Sequence, residues 1–144
     1  MKLLRKSLLY RLMDNLNDLI SQAKLTHREV SNRVGNSENW FNDAYNNNED
    51  IQISSFAKVL SVVSEEHEIS EYKLMDIFNE KILNISSLLT RLSDEEEKYI
   101  SDFIIAEKKL FLDILGDWAS LAYKNKLNNK EVELISKVKD LISL

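Results

Sequence analysis

The chain has 144 residues with no cysteine, no proline, two glycines, and 19 Lys/Arg against 24 Asp/Glu for a net charge of −5. The lack of cysteine excludes a disulfide framework, a thiolate nucleophile and a cysteine metal site. With 44% hydrophobic residues and so few helix breakers, the composition predicts an all-α protein large enough to bury a real core.

The charge is unevenly spread. Residues 1–63 hold eight Lys/Arg against seven Asp/Glu, whereas residues 64–144 hold eleven against seventeen. The acidity therefore belongs to the C-terminal half, and the near-neutral first half can still present a local positive face. A strong, sequence-blind nucleic-acid binder is not expected. Residues 1–16 are basic and apolar by turns, but Arg5, Lys6, Arg11 and Asp14 interrupt every run. They read as neither a signal peptide nor a spanning helix, so a cytoplasmic protein without membrane contact is expected.

The first helix is predicted over 6–23, with Leu9, Leu12, Met13, Leu16, Leu19 and Ile20 forming a core-facing stripe. The stretch from Leu25 to Asn46 then reads as two short helices meeting at a glycine. Thr26 and Glu29 have the spacing of a capping box. Val30 and Val34 share a face, Ser31 is small where two crossing helices would meet, and Gly35 tolerates the positive φ of a sharp stop. Ser37 is placed to cap a second helix, SENWFNDAY, with Phe41 and Ala44 inward. The Asn-rich run 46–50 is a loop. A helix over 53–63 should turn Phe56, Val59, Leu60 and Val63 inward, with SEEHE as its polar exit.

From Ser70 to Leu92 apolar residues recur at helical steps, predicting one long connector helix. Ser93 and Glu96 form a second box of the S-x-x-E type, heading a helix that can run to Lys126 unless Gly116 kinks or ends it. Asn128 and Glu131 head a last helix with Val132, Ile135, Val138 and Ile142 on one face. The apolar stripes of these later helices exceed what a hairpin covers. A homodimer through Phe103, Phe111, Ile114, Trp118 and Leu121 is therefore expected.

The residues His27, Val30, Ser31, Val34, Gly35, Phe41 and Ala44 carry a resemblance to the helix-turn-helix of the Xre/Cro family of phage-repressor-like proteins. Ile53–Leu60 and Ile69–Phe78 resemble that family's fourth and fifth helices. The resemblance covers roughly the first half of the chain. It implies a five-helix DNA-binding domain over 6–78, followed by a helical dimerisation or partner-binding region over 79–144. The function implied is a transcriptional regulator of phage or plasmid type that binds double-stranded DNA, a palindromic operator, as a dimer.

Under that reading the outward positions Ser37, Glu38, Asn39, Asn42 and Asn46 would meet base edges. Asparagine can pair bidentately with adenine, and a glutamate can accept from cytosine. Lys24, Thr26, His27, Arg28 and Arg33 would hold phosphates, and Trp40 would face either core or DNA. The competing reading is a protein-binding regulator of a mobile element, such as an antitoxin, an antirepressor or an anti-CRISPR-like inhibitor. In it the acidic second half, together with Glu65, Glu66, Glu68 and Glu95–Glu97, would suit a basic partner. No cofactor, metal site or catalytic constellation is expected. His67 within EEHE lacks the spacing that converges ligands, and no Gly-rich phosphate loop or nucleophile motif is present.

Overall fold

The structure, a computed structural model, describes residues 2–66, 69–91 and 100–144. Among them all regular structure is helical: α1 (Lys2–Gln22), α2 (His27–Arg33), α3 (Trp40–Asn46), α4 (Ile53–Ser64), α5 (Glu71–Met75), a 3₁₀ turn (Asp76–Phe78), α6 (Glu80–Arg91), α7 (Ile100–Ala106), α8 (Lys108–Tyr123) and α9 (Asn129–Ser143). No described helix is long and apolar enough to cross a membrane.

The chain divides into two compact units, and the division falls inside α1. One unit is Arg11–Asn79, and the other joins residues 2–10 to 80–144. The expected division lay between residues 78 and 79. Leu3 and Leu4, outside the predicted first helix, are fully buried with the C-terminal helices.

In the Arg11–Asn79 unit, Met13, Leu16, Leu19, Ile20 and Ala23 of α1 and its exit are buried, as are Val30, Phe41, Ala44, Val59, Val62, Val63, Ile69 and Ile77. Helix α1 ends at a left-handed Lys24 (φ 58°), with the Leu25 N–H donating to the Ile20 carbonyl at 3.1 Å, a closure that satisfies an otherwise orphaned carbonyl. Asn48, in the Asn-rich loop, is likewise left-handed (φ 53°).

The long helix predicted over 70–92 is broken in two. After the 3₁₀ turn, Asn79 is extended (φ −73°, ψ 176°), which ends one helix and lets α6 begin afresh at Glu80. The next expected helix also breaks, at Glu107 (φ −126°, ψ 39°) between α7 and α8. Gly116 sits within α8 and does not end it. The Ser93–Glu96 capping box lies outside the described residues.

In the second unit, Leu3, Leu4 and Tyr10 pack with Ile85, Leu88, Ile104, Phe111, Ile114, Trp118, Leu121, Ile135 and Val138 in one core. Trp118 Nε1 donates to Ser7 Oγ at 2.6 Å, and Ser7 Oγ donates to the Leu3 carbonyl at 2.8 Å. The indole N–H is thus satisfied without water. Helix α9 is headed by the expected box, Asn128 Oδ1 accepting from the Glu131 N–H and the Glu131 carboxylate from the Asn128 N–H. Its inward face is Glu131, Ile135 and Val138, while Val132, expected inward, is 50% exposed. Buried Glu131 is paired with Lys6 Nζ at 2.6 Å.

This core corrects the expected dimer interface. Phe111, Trp118 and Leu121 are fully buried and Ile114 is 1% exposed, while Phe103 is half-buried against the same cluster. The first turns of α1 cover the stripe for which a second subunit was expected. Burial of each of the large side chains contributes on the order of 1.5–3 kcal/mol to the fold.

Candidate nucleic-acid interface

Helices α2 and α3 are joined by residues 34–39, and the joint is built from three local devices. Thr26 Oγ1 accepts from the Glu29 N–H at 3.1 Å, and the Glu29 carboxylate accepts from the Thr26 N–H, completing the box that starts α2. Gly35 takes φ +86°, a conformation that costs a residue with a Cβ. Ser31, fully buried, donates from Oγ to the His27 carbonyl at 2.8 Å and accepts from the Phe41 N–H at 3.0 Å. A single hydroxyl therefore ties α2 to the first turn of α3, satisfying an amide that the helix itself leaves without a partner.

The start of α3 differs from expectation. It begins at Trp40 with Asn39 as N-cap and no side-chain capping bond, and the Ser37 carbonyl, not its hydroxyl, accepts from the Trp40 N–H at 3.0 Å. Ser37, Glu38 and Asn39 therefore lie in the connecting segment, all exposed. Only Asn42 and Asn46 of the expected base readers are carried on α3, and both are exposed. Asn46 Nδ2 donates back to the Asn42 carbonyl at 2.9 Å. Trp40 is half-buried, its ring tilted edge-on to Phe41 at 6.1 Å.

His27 sits at the centre of a polar bridge. Its Nε2 lies 2.5 Å from Asn17 Oδ1 and its Nδ1 lies 3.1 Å from Asn42 Oδ1. The ring also meets Phe41 and Tyr45 edge-on, at 4.9 and 5.7 Å. Tyr45 in turn donates to Asp14 Oδ1 at 2.9 Å. His27 thus links α1 to α3, with both ring nitrogens and one amide oxygen of Asn42 engaged. Asn17, Asp14 and Tyr45 were not singled out from the sequence, since nothing in their local spacing shows that α1 would lie beside α3.

The expected phosphate ligands are placed together but not left open. Lys24, Thr26, Arg28 and Arg33 are exposed, and the Thr26 hydroxyl is occupied by the cap. Arg28 pairs with Glu38 at 2.9 Å. Arg33 pairs with Glu66 at 3.0 Å and also with Glu65, and these hydrogen bonds, Glu66 first, hold its guanidinium above the usual arginine range. Residues 24–46 contain three Lys/Arg and three Asp/Glu, and Glu65 and Glu66 add two more carboxylates. The surface is a self-paired one.

Among the described residues no group of three or more His, Asp or Glu gathers as metal ligands; His67 and Glu68 lie outside them. No protein-family model, curated protein or solved structure matches this chain.

Proposed function

We propose that the Arg11–Asn79 unit binds double-stranded DNA through α2 and α3 as a helix-turn-helix, and that the protein is a transcriptional regulator of the phage- or plasmid-repressor kind. The observation that carries this reading is the Ser31 bridge beside the left-handed Gly35. It fixes two short helices at a set angle while Val30, Phe41 and Ala44 face inward and Asn42 and Asn46 face outward. Asparagine on an exposed helix face has the donor and acceptor pair that reads adenine in the major groove. With Arg28 and Arg33 already paired, such a surface relies on base contacts and meets random DNA weakly at physiological salt. The reading includes a cytoplasmic homodimer on a two-fold operator, whose interface lies away from the interior residues Phe111, Ile114, Trp118 and Leu121.

The test is selection of bound duplexes from a random pool, followed by affinity measurement for the selected sequence against a scrambled one. A preference that relaxes at one or two base pairs per half-site in Asn42→Ala supports the reading. Absence of any enriched sequence removes it.

A specific observation favours a second reading, in which a protein is the partner. Arg28 and Arg33 are each held by carboxylates, as on a surface that meets protein and not phosphate. In that case the chain is a regulator of a mobile element that acts by blocking another protein. A chain that ignores duplex DNA even at low salt fits this reading alone.

A further inference from the structure

We infer that Glu65 and Glu66 form a carboxylate clamp on Arg33 that must open before the end of α2 can hold a DNA phosphate, so that the clamp suppresses binding to random sequence. This rests on the DNA-binding reading of α2 and α3. Glu65 is the C-cap of α4 and Glu66 follows it in the turn. Acidic side chains there are disfavoured locally, because the C-terminal end of a helix is the negative pole of its dipole. Arg33, the last residue of α2, offsets that cost by reaching both carboxylates at once, Nη1 to Glu66 and Nη2 to Glu65.

The two arms of the guanidinium face two separate carboxylates, the fork geometry that a phosphate would also use. A phosphate arriving at Arg33 therefore competes with two negative charges already bound there. Base contacts made at a correct sequence add the free energy that exchanges carboxylate for phosphate, and a wrong sequence adds none. Arg28 and Glu38 repeat the arrangement in simpler form at the other end of α2, as one exposed pair at 2.9 Å. The pairs have no counterpart in local sequence spacing: Arg33 and Glu65 are 32 positions apart.

The experiment compares the full chain with Glu65→Gln/Glu66→Gln, and each of these with Arg33→Ala added, for binding to a random-sequence 20-bp duplex by fluorescence anisotropy between 50 and 200 mM salt. Circular dichroism checks that all four chains fold alike. The clamp predicts that the double glutamine variant binds random duplex about tenfold more tightly at 50 mM. It also predicts a log–log salt slope steeper by about 0.9, the signature of one added phosphate contact. Adding Arg33→Ala should abolish the gain. An unchanged affinity in a parent that does bind DNA overturns the clamp and leaves the DNA-binding reading standing. A gain that survives Arg33→Ala also overturns it, since the carboxylates then act by general repulsion. If neither parent nor variant binds any duplex at 50 mM, the DNA-binding reading itself falls, and the clamp with it.

Discussion

Ser31→Ala probes the joint between α2 and α3 with the smallest possible change. The substitution removes one oxygen from a fully buried side chain and leaves its packing volume nearly intact. The His27 carbonyl keeps its helical partner, so the loss falls on the Phe41 N–H, which donates to Ser31 Oγ at 3.0 Å. A buried amide left without an acceptor costs about 1–3 kcal/mol. With a urea dependence near 1 kcal/mol per molar for a unit of this size, the midpoint should fall by roughly 1 M or more. Hydrogen exchange gives the sharper assay, because it reads the Phe41 amide itself. Exchange there should accelerate by about fivefold to a hundredfold, at 1.4 kcal/mol per factor of ten, while amides of α8 and α9 hold their rates. An unchanged Phe41 amide in a destabilised variant would show that the hydroxyl acts through something other than this bond.

Three further outcomes follow from the packing and charges. Phe111→Asp places an unpaired charge in the core of the unit built from residues 2–10 and 80–144, so it should cost several kcal/mol and remove the part of the near-ultraviolet dichroism that comes from Trp118 in that core; a folded chain that has merely become monomeric by sedimentation would contradict the burial seen here. Gly116→Ala should stabilise the chain by about 0.5–1 kcal/mol in thermal melts, since the position is helical and an added Cβ meets nothing within 4 Å. Asp18, exposed on α1, has its carboxyl pushed up first by partial desolvation and second by Asp14, with Arg11 opposing. A raised folded-state value means that its contribution to stability is complete below the unfolded value of about 3.9 and is lost as pH rises through the folded one. Asp18→Asn should therefore match the parent near pH 3 and melt higher at pH 7.

The elements that were legible in the sequence are those whose cause is local. Thr26 with Glu29 and Asn128 with Glu131 are reciprocal bonds across three residues, and both are present. Gly35 announced its positive φ, and the Asn-rich run contained a left-handed residue. What misled was distance along the chain. Leu3 and Leu4 gave no sign that they would fill a core with Trp118, more than a hundred residues away, so the stripe on α8 read as unpaired. Ser37 had the chemistry of a cap, yet α3 starts at Trp40 because the Ser31 hydroxyl, six positions before Ser37, already takes the Phe41 amide. The partners of Arg33 were hidden for the same reason. Apolar periodicity also ran on through Asn79 and Glu107, where the backbone leaves the helix, because periodicity records which face is buried and not where one helix yields to the next.

Chemical-shift mapping locates the surface that meets the duplex. The isotope-labelled chain is titrated with its best selected duplex at 50 mM salt, and backbone and side-chain amides are followed. If α2 and α3 are the reading head, the largest changes fall on Arg28, Arg33, Trp40, Asn42 and Asn46, with the Asn42 side-chain amide among them, and residues of α8 and α9 stay still. Changes confined to the unit of residues 2–10 and 80–144 would contradict the account by placing DNA on that unit, and none at all at a saturating duplex concentration would contradict it and leave a protein as the partner.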